Sequence, residues 1–390
     1  MENTKEFGII VYGATGYTGR LVCEYLNNQY GVNGDVIWAM AGRSEEKLEA
    51  VRDEMGIAAD VPLVVSDASD YSSLVSMVER TEVILTTVGP YQLYGSDVVK
   101  ACAEAGTDYV DLCGEPTWMH EMIDQYQDAA KASGARIVFS CGFDSVPFDL
   151  GVYFLQQTAK EKLGAPVPRI KGRVRVMKGT FSGGTLASFK ATMAAAAKKP
   201  ELIEVLMNSF ALTEGFKGPE QPSGFAPVYE EDLNSWSAPF VMATINTKNI
   251  HRSNYLLKHQ YGDNFVYDEM LLTGPGDQGE AIAKAVAEDK SMVNDPRQPG
   301  EGPSKEERET GHYDVLFVGS NAAGDTVMAS VKGDKDPGYG STCKMIAESA
   351  VCLLKNPDAA SGGIWTPAAA MGSLLIDRLQ ANAGLTFAVE

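Results

Sequence analysis

The sequence predicts an α/β fold: a Rossmann-like, doubly wound parallel sheet, then a second α/β domain with a largely antiparallel sheet, followed by C-terminal helices. Three observations carry this. Over residues 1–150, short continuously apolar strands alternate with amphipathic helices, the pattern of a parallel sheet covered on both faces. A glycine-rich turn, Gly13-Ala14-Thr15-Gly16-Tyr17-Thr18-Gly19, joins the first strand to the first helix. Beyond residue 151 strand candidates neighbour one another in sequence, which suits antiparallel pairing.

The elements follow in order. Gly8 to Tyr12 is the first strand, and Thr18 to Gln29 places Leu21, Val22, Tyr25 and Leu26 on one helical face. Val36 to Ala41 is strand two, and Ser44 is placed to cap a helix over Glu45–Met55. Val61–Ser66 and Val83–Val88 are strands three and four. Ser96–Ala105 is a helix ended by Gly106, Tyr109–Leu112 is strand five, Met119–Ala132 is a helix ended by Gly134, and Arg136–Ser140 is strand six. In the second part, Lys171–Lys178 reads as an exposed strand and Leu186–Lys198 as an alanine-rich helix. Phe240–Ile245 and Phe265–Leu272 read as strands, 291–311 as an exposed loop, and 315–318 with 326–332 as a hairpin. Ser341–Leu354 and Ala368–Gln380 are helical. The expected divisions of the chain are 1–150, 151–337 and 338–390.

Composition narrows the function. At 390 residues, 44% hydrophobic and 22% charged, the chain is globular and long enough to bury a core without staples. A net charge of −19 argues against a nucleic-acid binder. The charge is uneven: residues 1–150 carry −15 and the remainder −4. Six scattered cysteines, Cys23, Cys102, Cys113, Cys141, Cys343 and Cys352, read as reduced thiols. With no signal pattern in MENTKEFGII and no apolar run of membrane-spanning length, the expected location is cytoplasmic, with peripheral membrane contact left open.

The glycine turn lets the backbone approach a pyrophosphate, and the following helix N-terminus offers N–H donors. Its spacing is Gly-x-x-Gly-x-x-Gly. The end of strand two selects the dinucleotide: Arg43, followed by Ser44, stands where an NAD site usually carries an acid, and a guanidinium suits a 2′-phosphate. NADP(H) is therefore the expected cofactor. Asp67, ending strand three, is placed toward the adenine, and Val88-Gly89-Pro90-Tyr91 toward the nicotinamide, since ligands sit outside the carboxyl ends of parallel strands.

With these motifs in place, the chain resembles the saccharopine-dehydrogenase-like oxidoreductases, and within them the trans-acting enoyl reductases. The resemblance rests on GATGYTGRL (13–21), AGR (41–43), VGPYQLYG (88–95), YVDLCGEP (109–116), CGFDSVPFDLG (141–151), FSGGT (181–185), PGEGPS (299–304) and GIWTPAAAMG (363–372), spread over nearly the whole chain. It implies an NADPH-binding Rossmann domain over 1–150, an α/β domain for substrate and dimerisation inserted over 151–337, C-terminal helices over 338–390 returning to pack on the first domain, reduction chemistry and an acyl or polyketide-type substrate, free or carrier-bound. The arginine set that would clamp an amino-dicarboxylate has no evident place here.

The residues exclude several alternatives. No tyrosine has lysine four positions on, and there is no Gly-x-Ser-x-Gly elbow and no Gly-Lys-Ser/Thr loop. His120, His251, His259 and His312 lie far apart and make no metal-ligand spacing, so no metal is expected. Hydride transfer needs cofactor and substrate held face to face with a proton donor nearby. Tyr91 and Tyr94 are the candidate donors, against the alternative of core rings with bonded hydroxyls. Gly95, Asp111, Cys113, Glu115, Phe143, Asp144 and Ser145, at or after the strand ends, form the substrate-side set, with Tyr109 beside them. Asp111 and Glu115 serve equally well as loop-holding acceptors, and Asp144 or Ser145 as a helix cap. Two further functions stay open: a non-catalytic NADP-binding protein with a lipid-surface or partner role, and an imine or amino-acid dehydrogenase, which would show arginines converging on the cleft.

One feature stands apart. Residues 160–199 hold ten bases and one acid, and Arg169, Lys171, Arg173 and Arg175 alternate onto one strand face. That face is either a solvated surface or a docking strip for an acidic carrier protein or anionic membrane. A homodimer is left open.

Overall fold

The structure, a computed structural model, describes residues 5–32 and 34–390; Met1–Thr4 of the amino-terminal segment read above lie outside them. The first part runs β1 (Phe7–Tyr12), α1 (Tyr17–Tyr30), β2 (Trp38–Gly42), α2 (Glu45–Glu54), β3 (Leu63–Val65), α3 (Tyr71–Val78), β4 (Thr81–Thr86), α4 (Tyr91–Tyr94), α5 (Ser96–Ala105), β5 (Asp108–Val110), α6 (Pro116–Ser133), β6 (Arg136–Val138) and α7 (Val146–Leu163). The second runs β7 (Arg169–Lys178), α8 (Gly183–Lys198), α9 (Glu201–Met207), β8 (Val228–Glu230), β9 (Ser235–Pro239), α10 (Ala243–Leu256), β10 (Val266–Gly274), α11 (Gly276–Ala287), α12 (Ser291–Asn294) and α13 (Lys305–Thr310). It closes with β11 (His312–Ser320), β12 (Thr326–Gly333), α14 (Thr342–Lys355), β13 (Gly363–Trp365), α15 (Pro367–Arg378) and β14 (Leu385–Val389).

Two seven-stranded sheets result. The first, β13-β6-β5-β4-β1-β2-β3, is parallel throughout, and its first six strands have the doubly wound dinucleotide-binding order. The second, β14-β12-β11-β7-β10-β9-β8, is antiparallel except where β7 meets β10. Local signals explain many boundaries. Ser44 caps α2 by accepting the Lys47 N–H, and Gly106 and Gly134 end α5 and α6 in the left-handed conformation. The helix α3, which the periodicity does not announce, starts at Asp70, whose carboxylate accepts the Ser72 and Ser73 N–H groups.

Three expectations change. The boundary at residue 150 falls inside α7, which is buried along most of its length and packs on strands of the second sheet; a Cβ on Gly151 would lie 2.3 Å from the Phe317 ring. The segment 338–390 divides: α14 packs on α1 and β4 and β13 pairs with β6, but β14 extends the second sheet beside β12. Phe240–Ile245 is no strand; the chain leaves β9 at Pro239 and turns into α10, burying Phe240 and Ile245 as turn and first-turn residues.

The basic face forms as the alternation predicts, but it is not a free positive surface. Arg173 is 3% exposed and pairs with Glu230 and Asp268; Arg169 also pairs with Asp268. Lys171 bonds Asp232 at 2.8 Å and Glu230 at 3.1 Å, and Arg175 bonds Asp314 and Glu390 at 2.7 and 2.6 Å. These acids come from neighbouring strands and the C-terminus, so packing neutralises the strip. The six cysteines are free and buried. No helix among the described residues is long and apolar enough to cross a membrane.

Candidate active site

The glycine turn is shaped for close approach. Gly13 has φ +92°, and a Cβ on Gly19 would lie 2.1 Å from the Gly13 carbonyl oxygen. No side chain caps α1, so the first-turn N–H groups at Tyr17 and Thr18 are left for an anion. Ala14 is fully buried behind the turn, and the Thr15 carbonyl accepts an Arg20 N–H. At the end of β2, Arg43 is exposed while Ser44 is occupied as the helix cap. Asp67 lies near enough to Arg43 for their charges to interact, and its carboxyl is held below the usual range chiefly by hydrogen bonds from Ser69. This corner and the turn fit an adenine dinucleotide with a 2′-phosphate.

Past the glycine turn lies a cavity of about 590 Å³ between the carboxyl ends of the first sheet and the second part of the chain. Thr18, Thr87 and Gly89 line its cofactor side; Val88 packs behind Gly13, and Pro90 leads into α4. Phe181, Phe189, Met193, Met207, Met242 and Met292 line much of the far side. The walls contain no arginine and no lysine among the described residues, and one carboxyl group, that of Asp144.

Of the substrate-side set, Phe143 and Asp144 line the cavity, and the rest stand behind it. Asp111 is fully buried and accepts N–H bonds from Cys113 and Ser140 and the Tyr109 hydroxyl; burial pushes its carboxyl up to about 7. Glu115 accepts the Tyr91 and Gln92 N–H groups and so holds the start of α4. The buried Cys113 sulfur accepts the Glu115 N–H, and burial raises its thiol pKa far above the ordinary value. Gly95 is packed against Trp118, which a Cβ would approach to 2.8 Å. Ser145 accepts a hydrogen bond from Asn249 and makes no side-chain cap for α7.

The two candidate tyrosines are displaced from the proton-donor role. Tyr94 is 47% exposed and outside the cavity, because the single turn of α4 anchors its inner side through Tyr91 and leaves Leu93 and Tyr94 in solvent. Tyr91 presents its ring to the cavity, but its hydroxyl accepts the Leu112 N–H at 3.0 Å and donates to the Thr86 carbonyl at 3.3 Å. Burial raises its phenol well above the usual pKa.

Other residues reach the site without announcement. Tyr339 lines the cavity, its hydroxyl within 2.8 Å of Thr185 Oγ1, and its ring packs edge-on against Tyr17 at 5.1 Å. The segment read as an exposed loop, 291–311, is a strap across the glycine turn. The Tyr17 hydroxyl donates to the Pro303 carbonyl, Arg308 donates to both Tyr17 and Pro303, and the Gly183 N–H donates to Glu301. PGEGPS and FSGGT mark these segments in the sequence, but neither tells that they touch.

Residues 9–138 match the family model described as the saccharopine dehydrogenase NADP binding domain. A Mycobacterium tuberculosis protein provisionally named a trans-acting enoyl reductase is 38% identical, covering 97% of this chain and 96% of that one. A trans-acting enoyl reductase of Mycobacterium ulcerans is 36% identical over 96% of both chains. Among solved structures, saccharopine dehydrogenase of Saccharomyces cerevisiae shares the fold with a TM-score of 0.54 at 11% identity, covering 98% of this chain and 100% of that one. A homospermidine synthase of Legionella pneumophila in complex with NAD does so at 0.57 and 10%, covering 99% and 91%. The glycine turn, the parallel sheet and these relatives place the chain in the trans-acting enoyl reductase branch of the saccharopine-dehydrogenase-like family, as an NADP-dependent oxidoreductase.

Proposed function

We propose that the protein reduces the carbon–carbon double bond of a long enoyl substrate, presented as a thioester or on a carrier. The carrying observation is the cavity beside the nicotinamide end: its walls are mostly apolar and hold no cation among the described residues. An amino-dicarboxylate would need guanidinium or ammonium groups there to offset desolvation of its carboxylates. An acyl chain needs none, and each methylene buried contributes about 0.8 kcal/mol. NADPH, when bound, supplies the hydride; the chain's own part is to hold the acyl group against the cofactor face and keep water away.

NADPH consumption with trans-2-enoyl thioesters of increasing chain length tests this. We expect kcat/KM to rise with chain length until the cavity is filled, and no turnover with saccharopine or NADP+. A flat length dependence, or activity with the amino acid instead, overturns the reading. The amino-acid dehydrogenase alternative has no support in the cavity wall, since no arginines converge there among the described residues.

A further inference from the structure

We propose that Asp144 is the general acid of this reduction, an assignment that rests on the enoyl reading above. It is the one carboxyl group in the cavity wall among the described residues, and Thr18, Thr87 and Gly89 on the cofactor side line the same space. Position 144 follows β6 just where the chain leaves the first sheet, and glycine at 114 leaves room beside it: a Cβ there would lie 3.3 Å from Asp144 Oδ2.

The other acidic groups nearby differ in one respect. Asp111, Glu115 and Asp149 each accept backbone N–H bonds that fix them in place. Asp144 accepts none from the described residues and pairs with no cation. A half-buried carboxyl on an apolar cavity, with no donor aimed at it, has nothing to hold it ionised. Burial accordingly pushes its pKa up to about 7. The titratable groups facing it are the Cys113 thiol and the Tyr339 phenol, both raised by burial and so neutral near pH 7; Tyr91 is likewise neutral. An acid poised near the working pH is the effective proton donor. The competing hydroxyls are engaged, Tyr91 with Thr86 and Leu112, Tyr339 with Thr185 and the Ser182 N–H.

In the step assigned to it, the β-carbon has received a hydride, NADPH has been oxidised to NADP+, and the former π pair lies on the α-carbon and thioester oxygen. The Asp144 O–H bond breaks as the α-carbon–hydrogen bond forms. The carboxylate left behind recovers a proton from water at the cavity mouth.

Infrared difference spectra of the protein without substrate, taken between about pH 6 and about pH 8, report the carboxyl directly. We expect the double difference, wild type minus Asp144→Asn, to keep one protonated-carboxyl band that disappears on raising the pH. Asp111 and Asp149 titrate in both proteins and cancel. Turnover of a long trans-2-enoyl thioester should fall about 10²–10⁴-fold in Asp144→Asn with unchanged NADPH affinity. The wild type should lose activity above neutrality; Asp144→Asn should not, and Asp144→Glu should restore that limb at a reduced rate. If the double difference shows no such band, or if Asp144→Asn keeps the wild-type rate and pH profile, Asp144 is not the acid. If the wild type reduces no enoyl thioester, the functional reading fails and takes this assignment with it.

Discussion

At the scale of single residues, the site separates by what each polar atom already bonds. Arg43 follows β2 and is exposed, so its guanidinium is available to a 2′-phosphate. A charge-assisted contact contributes about 1.5–3 kcal/mol, so Arg43→Ala should weaken NADPH binding by roughly tenfold or more and leave NADH nearly unchanged. Fluorescence titration of both cofactors measures this, and equal affinities in the wild type would sink it. Gly19 is the sharper test of the turn. Gly16 has 3.3 Å between an added Cβ and the Gly13 oxygen, whereas Gly19 has 2.1 Å. Gly19→Ala should therefore push the turn apart, lowering stability by about 1–3 kcal/mol and abolishing NADPH binding, as read by thermal melts and calorimetry. Normal binding by a folded Gly19→Ala variant would show that the turn does not hold the pyrophosphate.

Among the elements, β7 is the instructive case. Its four bases look like a docking face in sequence and are cross-strand partners in the fold. Arg173 is held by Glu230 and Asp268 with almost no exposure, so removing it takes the most buried cation from two buried carboxylates and leaves them only Lys171 and Arg169. Arg173→Ala should cost about 3–5 kcal/mol, visible as a lower urea midpoint. Replacing the half-exposed Arg175 by alanine should cost about 1 kcal/mol or less per pair lost. If Arg173→Ala unfolded at the wild-type midpoint, the buried network would contribute nothing. The strap over 291–311 makes the same point: one polar, Pro/Gly-rich stretch with no apolar stripe is held because Tyr17, Gly183 and its own Arg308 donate to its Pro303 and Glu301 carbonyls.

For the whole molecule, the two sheets are woven together by α7, α14 and the strands β13 and β14, and the seam holds carboxyls in low-dielectric surroundings. Asp111, Asp144 and Asp149 are each raised by burial to about 7, from ordinary values near 4. Between those two values the folded chain binds more protons than the unfolded one, so these groups make stability fall as pH rises. The contribution is full below about pH 4 and is lost progressively up to about pH 7. Melting temperatures measured from pH 5 to pH 8, about this window, should decline, and Asp144→Asn should decline less, its advantage opening toward the alkaline end. An identical slope in the two proteins would mean that Asp144 ionises alike in both states.

The sequence by itself determined the strands β1 to β6 of the first sheet and most of the helices between them, the capping at Ser44, the helix ends at Gly106 and Gly134, the hairpin of β11 and β12, and the glycine turn. All of these depend on residues a few positions apart, where backbone geometry and apolar period are written directly into the order of side chains. Only the tertiary structure decided which carboxylate is free. Asp111, Glu115 and Asp144 are alike in sequence, and they differ because the Ser140, Tyr91 and Gln92 N–H groups reach the first two while none reaches the third. It also decided that Tyr94 faces solvent, that α7 spans the expected boundary, and that Arg175 meets Glu390, 215 residues away. Partners so distant along the chain are brought together by packing, and no local rule carries that information, because burial and hydrogen-bond satisfaction are properties of the assembled core.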